Sequence, residues 1–238
     1  MFVNKTNFIH FQTTHANNIL QYNIKVDDLP LNKQDTTKFL GVTIDKNLNW
    51  NQHINNISTS VAKGIGILHR IKYFVSKKVL ITLYNTLILP YISYCNMVWG
   101  NCCVTKLNQI LFLQKKAIRI CSNSLYLAHT NPLFHHLKFL KVFDINKLQT
   151  AIFMFKYCKG ILPPVFNSFF ALNKALHSYP TRTCNNIHVN NPKMLLAHRS
   201  LRHHGPDIWN NLPDYTKQIT FLNSFKRIIK QILLDQYT

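Results

Sequence analysis

The chain has 238 residues, 47% of them hydrophobic, enough to bury a core in one or two domains, and its six Gly and nine Pro exclude a collagenous or disordered composition. Against 28 Lys and Arg stand 8 acidic residues, every one an Asp, and residues 1–50 hold five of the Lys and four of the Asp. The excess positive charge therefore lies beyond residue 50. Such a fold repels itself unless a polyanion is near, most often a phosphate backbone, although an anionic membrane surface or an acidic protein also fits.

In chain order, the start MFVNKTNFIH has no apolar core of a secretory signal. An intracellular chain, in nucleus or cytoplasm, is expected, with Cys95, Cys102, Cys103, Cys121, Cys158 and Cys184 as reduced thiols. Residues 1–45 read as strands: an apolar run Phe8 to Phe11, then Tyr22 to Val26 and Leu29 to Leu31 about an Asp27-Asp28 turn. Lys38 to Asp45 alternates as one strand, with Leu40, Val42 and Ile44 on one face. Gly41 within it suggests a backbone or ligand passing close by. After residue 50 the period changes. Ile54, Ile57, Val61, Ile65 and Leu68 mark an amphipathic helix capped by Asn49 or Asn51.

Val79 to Trp99 lacks charge and is long enough to span a bilayer, but its Asn, Ser and Tyr residues and Pro90 favour a buried helix kinked at that proline. Leu107 to Ile120 forms a third helix and Ile145 to Cys158 a fourth, which Gly160 and Pro163-Pro164 end. Ser178 to Asn191 is polar and loop-like, and Leu222 to Leu234 closes the chain as a helix. The class expected is α+β, predominantly α-helical, with a short N-terminal antiparallel β-hairpin sheet followed by a helical bundle. The divisions expected are residues 1–50, 51–160 and 161–238.

Three candidate chemistries yield to plainer readings. Asp27-Asp28 is a turn: two-metal catalysis needs carboxylates holding cations about 3.5–4 Å apart, and no third carboxylate sits on an earlier strand. The Cys and His residues show no paired CxxC spacing, so no metal site is assigned. Gly64-Ile65-Gly66 lies in a helical pattern without the remainder of a phosphate loop. The basic residues carry more. Lys63, Arg70 and Lys77 recur every seven residues, a spacing that predicts one line along a helix. Lys115, Lys116 and Arg119 cluster on the third helix, and Arg182, Arg199 and Arg202 follow. Such rows neutralise successive phosphates, giving affinity without sequence reading; a solvated helix face is the plainer alternative. Tyr91, Tyr179 and Trp209 are candidates for base stacking, although the apolar neighbours of Trp209 favour core packing.

Several segments together resemble one family. Asn4-Lys5-Thr6, the FLG run Phe39-Leu40-Gly41 with Leu48-Asn49-Trp50, and Leu89-Pro90-Tyr91-Ile92-Ser93-Tyr94 with Val98-Trp99-Gly100 are similar to non-LTR (LINE-type, jockey-like) retrotransposon reverse transcriptases. So are Leu113 to Arg119, Tyr179 to Arg182, Gly205 to Pro213 and Ser224-Phe225-Lys226, in the same order over nearly the whole chain. The resemblance implies the end of a palm, a helical thumb and a C-terminal region, with the thumb gripping RNA or an RNA–DNA duplex independently of sequence. It also implies that the catalytic aspartates and their magnesium belong to palm sequence ahead of Lys5. No catalytic residue and no cofactor are therefore expected here, as in a 5′-truncated copy. The alternatives are a remnant without binding activity and half of a split polymerase.

Overall fold

The computed structural model describes residues 6–12, 23–26, 28–176 and 182–238. Asn4, Lys5, Tyr22, Asp27 and Tyr179 to Thr181, named above, lie outside them.

The N-terminal part forms two-stranded sheets. β1 (Asn7–Phe8) pairs in parallel with β4 (Asn32–Lys33), and β2 (Lys25–Val26) pairs antiparallel with β3 (Leu29–Pro30). Asp28, at φ 62°, lies between the strands of that second pair. Lys38 to Asp45 is not one strand. It is a hairpin of β5 (Thr36–Phe39) and β6 (Val42–Asp45), in which Phe39 faces Val42. The two loop residues, Leu40 and Gly41, both take positive φ (45° and 84°), the geometry that twists a two-residue hairpin correctly and that glycine supplies without strain. Leu40 is consequently exposed at the tip, while Val42 is buried. The close approach expected at Gly41 is made by an aromatic ring. A Cβ there would stand 3.4 Å from Tyr94 Cε1, and the Tyr94 hydroxyl donates to the Leu40 carbonyl at 2.6 Å.

The rest of the chain is helical: α1 (Asn51–Ile71), α2 (Lys77–Leu87), α3 (Leu89–Ser93), α4 (Asn96–Trp99), α5 (Val104–Ser122), α6 (Asn131–Leu137) and α7 (Val142–Cys158). A 3-10 turn at Pro164–Phe166 leads to α8 (Asn173–Leu176), α9 (Leu195–His198), α10 (Leu201–Asn210), α11 (Asp214–Lys217) and α12 (Leu222–Asp235). No helix among the described residues is long and apolar enough to cross a membrane. The apolar stretch ending at Trp99 is three helices instead of one kinked helix. Pro90 has no N–H to continue α2, so the chain breaks at Ile88 and restarts with Pro90 in the first turn of α3. Cys95, at φ 49°, makes the second break.

One core joins these elements, with Tyr84, Ile92, Trp99, Ile110, Ile118, Phe134, Phe155 and Phe225 fully enclosed. Gln114 is its polar hub: its side-chain amide donates to the Tyr84 hydroxyl (2.9 Å) and the Leu140 carbonyl (2.8 Å) and accepts from the Val142 N–H (3.0 Å). All its hydrogen-bonding sites point inward, which fixes the rotation of α5. At the other end α10 and α12 pack on α7, where Gly205 lies so close that a Cβ would meet Met154 Sδ at 2.8 Å. Trp209 is buried against Phe225, as its apolar neighbours suggest. The Tyr237 hydroxyl donates to the buried Asp144 carboxylate and accepts from the Lys141 N–H, anchoring the C-terminal residues on the start of α7.

Candidate nucleic-acid interface

The junction into α1 is set by Asp45. Its Oδ1 accepts from the N–H groups of Asn47 (3.1 Å) and Asn49 (3.0 Å), and its Oδ2 from Trp50 (2.8 Å). Trp50 itself occupies the cap position in the left-handed region, so neither Asn49 nor Asn51 caps α1 through its side chain. Asp45 orients the helix instead.

α1 has two working faces. Ile54, Ile57, Val61 and Leu68 are buried, and Gly64 among them lets α2 approach: a Cβ would stand 3.0 Å from Ile88 Cγ1 and 3.2 Å from the Leu87 carbonyl. The next face, Ala62, Gly66, His69 and Arg70, borders a groove of about 690 Å³ against α5. Because Gln114, Ala117, Ile118 and Cys121 turn inward, α5 offers Leu113, Lys116, Arg119 and Ile120 to the same groove. Lys72, Asn123, Ser124 and Tyr126 complete one end of it.

The groove thus brings together Arg70, Lys72, Lys116 and Arg119 from two helices and the loop after the first, and every charged residue lining it is basic. The sequence contains no acidic residue between Asp45 and Asp144. No ion pair among the described residues uses these cations; Asp35, Asp144 and Asp214 pair with Lys46, Lys147 and Lys217. Arg119 is partly engaged, donating from Nε to the Ala128 carbonyl at 3.0 Å. That bond holds the loop after α5 against the groove.

The residues singled out by sequence divide accordingly. Arg70, Lys116 and Arg119 line the groove, and Lys63 is exposed on α1 beyond its edge. Lys77 does not continue the line of Lys63 and Arg70. α1 stops at Ile71, Phe74 N–H closes a turn on the Ile71 carbonyl, and extended Ser76 starts α2, placing Lys77 Nζ 3.4 Å from His136 Nε2. Lys115, one residue past Gln114, does not line the groove; the ammonium of Lys141 is destabilised chiefly by burial, which Asp144 opposes and Lys115 and Lys147 reinforce. Arg199 lies beside the thiols of Cys102 and Cys103, Arg202 stacks 4.4 Å over the Phe169 ring, and Arg182 is exposed. None of these three lines the groove. His69 and Lys72 were legible as basic, but only the end of α1 and the turn after it reveal that they converge with α5.

Burial pushes the Cys102 thiol up to about 11 and Cys121 to about 12, leaving both protonated and poorly nucleophilic at neutral pH. The exposed Cys103 differs: hydrogen bonds from Thr105 hold its thiol below the usual value. His198 Nδ1 and His203 Nε2 lie 3.3 Å apart and bond each other, and no group of three metal-ligating side chains converges among the described residues.

Comparison with known proteins gives partial but consistent matches. The probable RNA-directed DNA polymerase from transposon X-element of Drosophila melanogaster is 29% identical over 130 residues, 52% of this chain and 14% of that protein. The RNA-directed DNA polymerase from mobile element jockey of the same species is 32% identical over 117 residues, 47% of this chain and 12% of its own length. Its counterpart in Drosophila funebris is 30% identical over 112 residues, 45% of this chain and 12% of that protein. This chain therefore spans about an eighth of the relatives it matches, and over about half its own length it is homologous to these non-LTR retrotransposon reverse transcriptases. No protein-family model matches it, and neither does any solved structure.

Proposed function

We propose that this chain is a nucleic-acid-gripping part of a non-LTR retrotransposon reverse transcriptase, corresponding to the thumb, and that it holds RNA or an RNA–DNA duplex by its phosphate backbone. The observation that carries this reading is the convergence of Arg70, Lys72, Lys116 and Arg119 in one groove without a neighbouring carboxylate. Unpaired cations on two packed helices favour a polyanion and gain affinity by releasing its counterions. The contacts are to phosphate, so sequence is not read. Homology to RNA-directed DNA polymerases supplies the class of ligand. Polymerisation is assigned to no residue of this sequence.

Binding of a fluorescent RNA–DNA duplex measured across 50–300 mM salt tests the reading. About four phosphate contacts give a log–log slope of roughly −3 to −4. A slope near zero, or no binding at low salt, contradicts it and favours a remnant without binding activity.

A further inference from the structure

We infer that the loops at one end of the α1–α5 groove form a stacking platform for unpaired bases, so that the preferred ligand is a nucleic acid with a single-stranded segment beside the gripped backbone. This rests on the groove reading above and specifies its ligand.

Residues 72–76, after α1, expose Tyr73 (79%) and Phe74 (86%). Residues 123–130, after α5, expose Leu125 (84%), Tyr126 (71%) and Leu127 (86%). Five large apolar side chains this exposed, on two short loops, form a feature that folding alone disfavours. The two loops border the same place: Lys72 from the first and Ser124 and Tyr126 from the second line the groove together. Just beyond them, Lys77 and His136 approach within 3.4 Å. Both loops are ordered by their own bonds, Phe74 N–H to Ile71 O at 2.9 Å, Ala128 N–H to Leu125 O at 3.0 Å, and Arg119 to Ala128.

The surrounding charge identifies the occupant. Residues 69–78 and 119–141 contain no acidic residue. Lys72 Nζ lies 4.7 Å over the Tyr73 ring, and Lys116 Nζ 4.5 Å over Phe112. Exposed rings and apolar side chains, interleaved with cations on two loops that both reach the basic groove, suit a strand whose phosphates track the cations while its bases stack on the rings. An apolar protein surface would leave Arg70, Lys72 and Lys116 desolvated without partners. A blunt duplex would leave the rings in water.

The test compares a blunt RNA–DNA duplex with the same duplex carrying a six-nucleotide overhang that contains 2-aminopurine. The expected result is about tenfold tighter binding of the overhang form, with a change in probe fluorescence on binding. The variant Tyr73→Ser/Phe74→Ser, which leaves the groove lining intact, should lose that preference while keeping the blunt-duplex affinity and salt slope. Equal affinity of the wild type for both duplexes, or a preference untouched in the variant, overturns the platform. Loss of self-association in the variant, seen by sedimentation, with overhang binding intact also overturns it. Blunt-duplex binding and its salt slope test the groove separately, so the two readings fail by different signals.

Discussion

Asp45 and His53 form the hinge between the hairpin and α1. Leu48 and Trp50 both sit at positive φ, a costly conformation for bulky residues, and the three N–H groups gathered by the Asp45 carboxylate hold it. Asp45→Ala is expected to cost about 2–3 kcal/mol, read as a lower urea midpoint, because charge-assisted bonds are lost at a strained turn. Unchanged stability would show that the turn holds without it. His53 is buried between Trp50 and Trp99, accepts the Thr43 N–H through Nδ1, and leaves Nε2 with no partner. Burial therefore lowers its pKa, and burial lowers that of His204 as well, where Asp207 opposes and His203 and Lys147 assist. The unfolded chain takes up protons as pH falls through about 6.5, whereas the folded chain resists, so stability falls on acidification. The urea midpoint should drop between pH 7.5 and 5.5, and drop less in His53→Asn. A midpoint that rises with acid contradicts this.

At the scale of elements, two glycines two residues apart in α1 make opposite demands. A Cβ at Gly66 meets nothing within 4 Å, whereas at Gly64 it meets Ile88 and the Leu87 backbone. Gly66→Ala should stabilise by up to about 1 kcal/mol through helix propensity, and Gly64→Ala should destabilise by forcing α2 away. Equal effects in thermal melts would place the wrong face toward α2. Periodicity made α1 and α12 legible, because each has a continuous apolar stripe facing one core, whereas α5 buries Gln114 and α7 buries Asp144, Asn146 and Thr150 among their apolar residues. It could not separate the strand from the hairpin at residues 36–45, since both alternate and only the positive φ of Leu40 and Gly41 distinguishes them. Nor could it show that Pro90 ends a helix instead of kinking it, because the second break, at Cys95, carries no glycine or proline. Asn210, which brackets the Ile187 backbone with both its amide atoms, gives no sequence signal at all.

For the whole molecule, the charge imbalance was plain in the composition, and so was the resemblance that made nucleic acid the expected partner. The arrangement of that charge was not. Counting along the chain placed Lys77 with Arg70 and grouped Lys115 with Lys116, but a turn removes Lys77, and the inward rotation of Gln114 leaves Lys116 and not Lys115 on the groove. The groove arises from two helices whose nearest lining positions, Arg70 and Leu113, stand 43 residues apart in the chain, and no linear spacing reports that. The measurement that bears most directly on it compares two double variants for duplex binding against salt. Arg70→Ala/Lys116→Ala removes groove cations, and Arg182→Ala/Arg202→Ala removes the same charge elsewhere. The first should lower the salt slope by about two and weaken binding at least tenfold, with the second close to wild type. Equal losses in both would mean that diffuse charge binds the duplex, and the groove would have no special role.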